Sequence, residues 1–137
     1  MSMFDTKIAI VLRNDLASWQ KMNVVAFLTS GLVGQTPEIL GRDYEDADGN
    51  TFNPLAVQPM IVLEGDGNTL SKIHNRALNR QVKTSAYVEE MFQTGHDDAN
   101  RAVFKSFGPD NAKIVGLAMR AEKKTVDKIT KGAKMHG

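Results

Sequence analysis

Two spacings of apolar residues alternate along this chain and predict strands and helices in turn. Short runs rich in apolar residues are typical of strands, and they predict four of them, at residues 6–13, 59–64, 83–92 and 112–119. Apolar residues at helical spacing follow each strand and predict helices at residues 18–33, 69–81, 97–107 and 122–131. The alternation predicts an α/β fold, specifically a three-layer α/β/α sandwich with a mixed, mostly parallel four-stranded sheet.

The first strand and the helix after it carry the clearest pattern. In residues 6–13 the apolar side chains fall on both faces, so we expect helices on both sides of the sheet. The helix at residues 18–33 begins with Ser18 as a plausible N-cap. Beyond Met22 it is apolar nearly all round, so we expect it to be largely buried or to pack in a dimer. Nearly complete burial is expected at five positions: Ile10, Val25, Leu28, Val62 and Val115.

Two glycine-containing loops resemble ligand loops, but their spacing does not support that interpretation. Residues 42–53 predict a loop or short hairpin that turns at Asp48-Gly49. A calcium loop in this register would need its bidentate acid at Leu55, which excludes it. The Gly65-Asp66-Gly67 turn lacks the third glycine of a phosphate loop, and Asp66 would repel a phosphate. We therefore expect a plain strand-to-helix turn.

Composition narrows the class of protein without naming a function. A chain of 137 residues with 42% hydrophobic residues predicts a single domain over residues 1–137. The absence of cysteine excludes disulfide scaffolds and thiolate metal sites, and it fits a cytoplasmic location. No apolar run approaches the length of a membrane span, and the first residues lack a signal-peptide pattern. We expect no membrane partner.

Charge is unevenly distributed, although the net charge is only +1. Residues 38–66 hold seven acids and one base, whereas residues 120–137 hold six bases and two acids. The simple interpretation is two solvated faces. The alternative is a basic patch for an anion or an RNA, but few aromatic residues lie among the bases, so a nucleic-acid partner is weakly supported.

The best candidate site is a polar cluster at the start of the third predicted helix, formed by Thr94, His96, Asp97 and Asn100. Thr94 and Asp97 have the spacing of a capping box. His96 is a candidate general acid or base because the ordinary pKa of histidine lies near neutrality, and Asp97 could orient its ring. A helix N-terminus can also hold an anion. The alternative is that these residues only cap the helix.

Two further polar residues occupy positions where a site could form. Asn23 is isolated among apolar neighbours, so it either binds a ligand or ties its helix to Arg13 or Asp15. Glu90 is either a buried acid or a charge at the sheet edge. If the first and third strands run parallel, their loops open at the same edge of the sheet, and Asn23 and His96 can share one ligand.

Neither a metal nor a cofactor is expected from the sequence. The three histidines, His74, His96 and His136, lack the spacing of a zinc site. No GxSxG motif is present, so serine catalysis has no support either.

Several motifs resemble known families. The opening KIAIVLRNDL and the closing IVGLAMRAEKKTVDKITKGAKM resemble type 2 peptidyl-tRNA hydrolase, in the same order and about a hundred residues apart. The strings KMNVVAFLTSG and EEMFQTGHDDANRA resemble the "domain of unknown function 2000" family, whose members share the hydrolase fold. The resemblance covers nearly the whole chain. It implies a peptidyl-tRNA hydrolase type 2-like fold and a homodimer.

This sequence departs from the hydrolase pattern at positions that carry the hydrolase family's catalytic residues. The resemblance puts Asn23 on the family's lysine, Phe27 on its glutamine and Ser30 on its histidine. Glu90 and Thr94 correspond to the family's catalytic carboxylate and hydroxyl. Replacing the family's lysine by Asn23 removes a catalytic cation, and such a loss typically costs about a hundredfold or more in rate. We therefore expect no ordinary peptidyl-tRNA hydrolysis.

Two functions therefore stay open. The first is a binding or regulatory module that takes a small anionic ligand at Asn23, Thr94 and His96, with Asp97 and Asn100 beside them. The second is a hydrolase whose active site has drifted, with Glu90 or His96 as the base and Thr94 positioning water. The missing lysine favours the first.

Overall fold

The computed structural model describes residues 4–137 and confirms the α/β class. The strands are β1 (Thr6–Arg13), β2 (Tyr44–Glu45), β3 (Thr51–Phe52), β4 (Met60–Gly65), β5 (Ser85–Val88), β6 (Ile114–Glu122) and β7 (Lys134–Met135). The helices are α1 (Ser18–Gln35), α2 (Gly67–Asn79), α3 (Asp97–Lys105) and α4 (Lys123–Ile129), with 3₁₀ turns at Pro37–Ile39 and Glu89–Gln93.

The main sheet differs from the four mostly parallel strands that the sequence predicted. Within residues 4–137 it has five strands in the order β5-β6-β1-β4-β7. Only β1 and β4 pair in parallel, whereas β6 pairs antiparallel with both β1 and β5, and β7 pairs antiparallel with β4.

The parallel expectation was wrong because the third helix is not a crossover helix. α3 packs mainly against the second 3₁₀ turn, Glu89–Gln93, and only Val103 of this helix is partly buried against the core of the sheet. The chain therefore returns beside β5 as the antiparallel strand β6. The edge strand β7 has two residues, which is too short for an apolar periodicity to predict it.

Helices cover both faces of the sheet, as the pattern of the first strand predicted. Ile8, Ile10 and Leu12 of β1 pack in the core beneath α1, whose buried residues include Val24 and Leu28. Ala9 and Val11 face the opposite way, into a second core that α2 and α4 cover. The alternation along β1 thus joins two cores through one strand.

The five positions expected in the core divide into two groups. Ile10, Leu28 and Val115 are at most 2% exposed, which confirms their prediction. Val25 and Val62 are only partly buried against the same core, so nearly complete burial was wrong for them.

Of the two alternatives expected for α1, nearly complete burial is wrong, and packing in a dimer stays a prediction. α1 buries one face, but Trp19, Met22 and Phe27 are more than half exposed on the other. The helix begins after Ala17, whose N–H donates to Gln20 Oε1 at 2.9 Å, so Ser18 is not the N-cap. Despite its apolar surface, no helix in residues 4–137 combines the length and hydropathy needed to cross a membrane.

The two glycine-containing loops have structural roles. β2 and β3 pair as a short hairpin that turns at Gly49, which has a φ of +86°. Asp66 caps α2, because its carboxylate accepts the Thr69 N–H at 2.8 Å. That hydrogen bond holds the pKa of Asp66 below its ordinary value. A side chain at Gly65 would lie 2.8 Å from Thr69 Cγ2, so the turn needs glycine for close packing.

Candidate functional site

A cavity of about 730 Å³ lies between α1, β5, the second 3₁₀ turn and α3. We call it the aromatic cavity. Its lining includes all five residues that the sequence nominated for ligand contact: Asn23, Thr94, His96, Asp97 and Asn100. Glu90, nominated as a base, is not part of the lining.

Strand directions bring these residues together. β6 is antiparallel to both β1 and β5, so β1 and β5 point the same way although they are not neighbours. Their carboxyl ends therefore open at one edge of the sheet, where α1 follows β1 and the 3₁₀ turn follows β5. β1 and β5 thus run in the same direction with β6 between them, so the loops that follow them can line one pocket.

An ion pair ties the two loops to each other. Arg13, at the end of β1, contacts Glu89 of the 3₁₀ turn at 2.7 Å and Asp15 at 2.6 Å. Burial lowers the pKa of Arg13, but its hydrogen bonds to the two carboxylates outweigh this effect and raise the pKa overall. The hydrogen bond from Arg13 holds the pKa of Glu89 below its ordinary value.

Both alternatives proposed for Asn23 can be compared with this ion pair. Arg13 binds the carboxylates of Asp15 and Glu89, and within residues 4–137 no hydrogen bond joins Asn23 to Arg13 or Asp15, so the structural tie expected for Asn23 is not formed. Asn23 is partly buried and lines the aromatic cavity. Its amide is therefore positioned to meet a ligand. Glu89 was missed by sequence analysis, since nothing in the sequence distinguishes it from its neighbour Glu90.

Aromatic rings form one wall of the cavity, which sequence analysis did not anticipate. The Tyr87 ring lies 6.0 Å from Phe27 and 5.1 Å from Phe92, measured between centroids. Trp19 packs edge-on against Phe92 at 5.9 Å. Tyr87 is 4% exposed, and burial raises the pKa of its hydroxyl. These rings come from α1, β5 and the 3₁₀ turn, so no local sequence pattern could join them.

The start of α3 is built differently from the predicted capping box. His96 is the N-cap, and its Nδ1 accepts the Ala99 N–H at 3.2 Å. Thr94 and Asp97 do not form the box, because Thr94 ends the 3₁₀ turn and Gly95 separates it from the helix. Asp97 instead pairs with Arg101 at 2.6 Å on an exposed surface, and this hydrogen bond raises the pKa of Arg101.

The hydrogen bond at His96 determines what its ring can do. A ring nitrogen that accepts a backbone N–H carries no proton, so the neutral ring has its proton on Nε2. In this arrangement Nε2–H can donate to a ligand oxygen but cannot accept a proton. His96 thus offers a hydrogen-bond donor at Nε2, while Nδ1, the nitrogen that a general base would use, accepts the Ala99 N–H.

Thr94 joins the 3₁₀ turn to α3. Its Oγ1 lies 2.8 Å from the Met91 carbonyl oxygen and also contacts the side-chain amide of Asn100. A hydroxyl has one proton, so Thr94 Oγ1 can donate either to the Met91 carbonyl oxygen or to Asn100 Oδ1, but not to both at once. Thr94 therefore positions Asn100 at the cavity.

Glu90 has an unusual environment of its own. Its side chain is partly buried, and Oε1 is buried without a hydrogen-bond partner in the described structure. It lies outside the aromatic cavity lining. In residues 4–137, no three histidine or acidic side chains come together in a way that could hold a metal ion.

Comparisons with known proteins bear on the whole chain. A family model described as "Protein of unknown function (DUF2000)" matches residues 6–137. A solved structure of a protein of unknown function from Agrobacterium tumefaciens is similar, with a TM-score of 0.97 and 61% sequence identity over 98% of this chain and 100% of that chain. No curated protein shows a significant match. The extent of the family match establishes that this chain belongs to the DUF2000 family.

Proposed function

We propose that this protein binds a small anionic ligand in the aromatic cavity and acts as a binding or regulatory module. The observation that carries the proposal is the convergence of polar groups from α1 and α3 on one cavity. Asn23 and His96 offer N–H donors there, and Lys105 adds a cation. Charge-assisted hydrogen bonds of this kind are about twice as strong as neutral ones.

The aromatic wall supports a ligand with a planar apolar part. Phe27, Tyr87 and Phe92 form a continuous set of rings beside the polar groups. Aromatic side chains pack favourably against other flat rings in stacked or edge-on arrangements. A ring that carries a carboxylate or phosphate matches both parts of the cavity.

The same geometry favours binding over the alternative of a drifted hydrolase. Hydrolysis needs a base that can reach water or a nucleophile in the cavity. Glu90 does not line the cavity, and His96 presents a donor there. Asn23 stands at the position of the lysine of type 2 peptidyl-tRNA hydrolase, and its side chain brings no charge.

Calorimetric titration tests the proposal, with benzoate, indoleacetate and adenosine monophosphate as probes. At least one should bind saturably, and the uncharged analogue benzamide should bind about tenfold or more weakly than benzoate if benzoate is bound. Lys105→Gln should weaken the binding of the anion. Lys128 is an exposed lysine on α4, so Lys128→Gln should leave that binding unchanged. No saturable binding by any of the three anions would contradict the proposal.

The likeness to type 2 peptidyl-tRNA hydrolase remains a proposal about the finer fold, resting on the sequence motifs at the two ends of the chain. We expect the purified protein to leave peptidyl-tRNA uncleaved, because Asn23 cannot supply the charge of the family's lysine. An assay at the same concentration as a working hydrolase measures this. Comparable turnover would show that another group has taken the role and would favour the hydrolase alternative.

The homodimer also stays a proposal, and the exposed apolar surface of α1 supports it. Trp19, Met22 and Phe27 expose 59%, 67% and 53% of their surface. Burying such side chains stabilises an interface. Light scattering coupled to size exclusion should give twice the chain mass, and Met22→Asp should shift it to one chain mass. A monomer at all concentrations would refute the dimer.

The cytoplasmic location remains a prediction from the lack of cysteine.

A further inference from the structure

A second cavity, of about 420 Å³, lies on the side of α1 towards β4 and β7, away from the aromatic cavity. We call it the aliphatic cavity. Its apolar lining is Leu12 of β1, Val62 of β4, and Met22 and Val25 of α1. Among residues 4–137 no Phe, Tyr or Trp side chain lines it, so its apolar walls suit an aliphatic group and not a flat ring.

The polar end of the aliphatic cavity holds Ser18, Lys21 and His136. Lys21 Nζ lies 3.0 Å from His136 Nε2, and Glu64 Oε2 lies 3.5 Å from the same ring nitrogen. The backbone N–H of His136 donates to the Val62 carbonyl at 3.1 Å, which holds the end of the chain beside β4. The cluster thus joins residues more than a hundred positions apart.

Lys21 is the unusual member of this cluster. It is partly buried, yet in the described part of the chain no carboxylate oxygen lies within 4.0 Å of Lys21 Nζ, so Lys21 forms no ion pair there. Its hydrogen-bond partner is an imidazole ring. The ammonium still has donors to offer, because lysine carries three and the imidazole nitrogen accepts only one of them. An incoming carboxylate would pair with Lys21 directly, which Glu64, in contact with the His136 ring, does not.

We propose that the aliphatic cavity binds a short aliphatic carboxylate. The carboxylate accepts hydrogen bonds from Lys21 Nζ and Ser18 Oγ, and the hydrocarbon chain packs on Leu12, Val25 and Val62. Residues one turn apart on a helix share a face, so Ser18 and Lys21 can hold one carboxylate together. This site is separate from the aromatic cavity, and it stands whether or not that cavity binds an anion.

Nuclear magnetic resonance titration of the full chain with hexanoate tests the proposal. Saturable shifts should appear at the methyl groups of Leu12, Val25 and Val62. Hexanamide, which has the same chain without the charge, should bind about tenfold or more weakly. Lys21→Gln should cause a similar loss for hexanoate, whereas Lys128→Gln should leave its affinity unchanged.

Three results would overturn the proposal. They are no saturable shifts with hexanoate, equal affinity for hexanoate and hexanamide, or a Lys21→Gln variant that binds hexanoate as well as the original chain. Shifts that fall on Asn100 and Phe104 instead would assign hexanoate to the aromatic cavity and also refute the site. Lys105→Gln separates the two proposals, because it should weaken anions in the aromatic cavity and leave hexanoate binding intact.

Discussion

The two cavities flank the same helix but depend on different parts of the molecule. The aliphatic cavity is bounded by α1 and by strands of the main sheet, whose side chains also form the core. The aromatic cavity has α3 as one wall, and α3 has no buried residue and packs mainly on the second 3₁₀ turn. Regions with few buried apolar contacts open at lower free-energy cost than the core. We therefore expect the aromatic cavity to adapt to its ligand and the aliphatic cavity to be nearly preformed.

Substitutions on α1 should separate its two faces with the largest effect. Leu28 is 2% exposed and packs against the sheet beneath the aromatic cavity, so Leu28→Ala should lower the free energy of unfolding by about 2–5 kcal/mol. Met22, which borders the aliphatic cavity, is 67% exposed, so Met22→Ala should change it by only about 0.5 kcal/mol in the monomer. Urea unfolding followed by circular dichroism measures both. Equal losses would show that the two faces contribute alike.

The ion pair of Arg13 and Glu89 should support the aromatic cavity alone. Because the Glu89 side chain is 42% exposed, Glu89→Gln should cost no more than about 1 kcal/mol of stability. Glu89→Gln should weaken the binding of anions in the aromatic cavity without altering the binding of hexanoate. Asp127→Asn removes the ion pair of Asp127 with Lys7 at 2.6 Å, away from both cavities, and serves as the matched control, with little effect expected on stability or on anion binding.

The same ion pair predicts a pH dependence. The folded pKa of Glu89 lies below its ordinary value of 4.5, so the pair contributes its full stability above pH 4.5 and loses it as the pH falls through the folded pKa. The stability difference between the original chain and Glu89→Gln should therefore shrink as the pH is lowered below 4.5. A difference that stays constant down to full protonation would contradict this assignment.

His74 gives the smallest expected effect at neutral pH and lies on the α2 side of the sheet, away from both cavities. It is 9% exposed, its Nδ1 has no hydrogen-bond partner in the described structure, and burial lowers its pKa from 6.5. The unfolded chain therefore takes up a proton first as the pH falls below 6.5, and stability declines there. His74→Gln should remove this part of the decline in pH-dependent unfolding. An unchanged slope would show that other groups cause it.

Local patterns were sufficient where a structural feature depends on neighbours in sequence. The strand at residues 6–13 has its predicted bounds, and the hairpin turns where Asp48-Gly49 predicted. Alternation along β1 also predicted that both faces of the sheet are covered. These features follow from side-chain periodicity and turn chemistry, which are written in adjacent residues.

The sequence by itself thus determined the α/β class, most of the elements and the nomination of Asn23 and His96. Only the tertiary structure decided that β6 enters between β5 and β1, because strand pairing depends on contacts that no local period encodes. It also decided that Glu90 lies outside the aromatic cavity and that Glu89 meets Arg13. Lys21 and His136 are 115 positions apart, so their contact arises only when β7 folds beside β4.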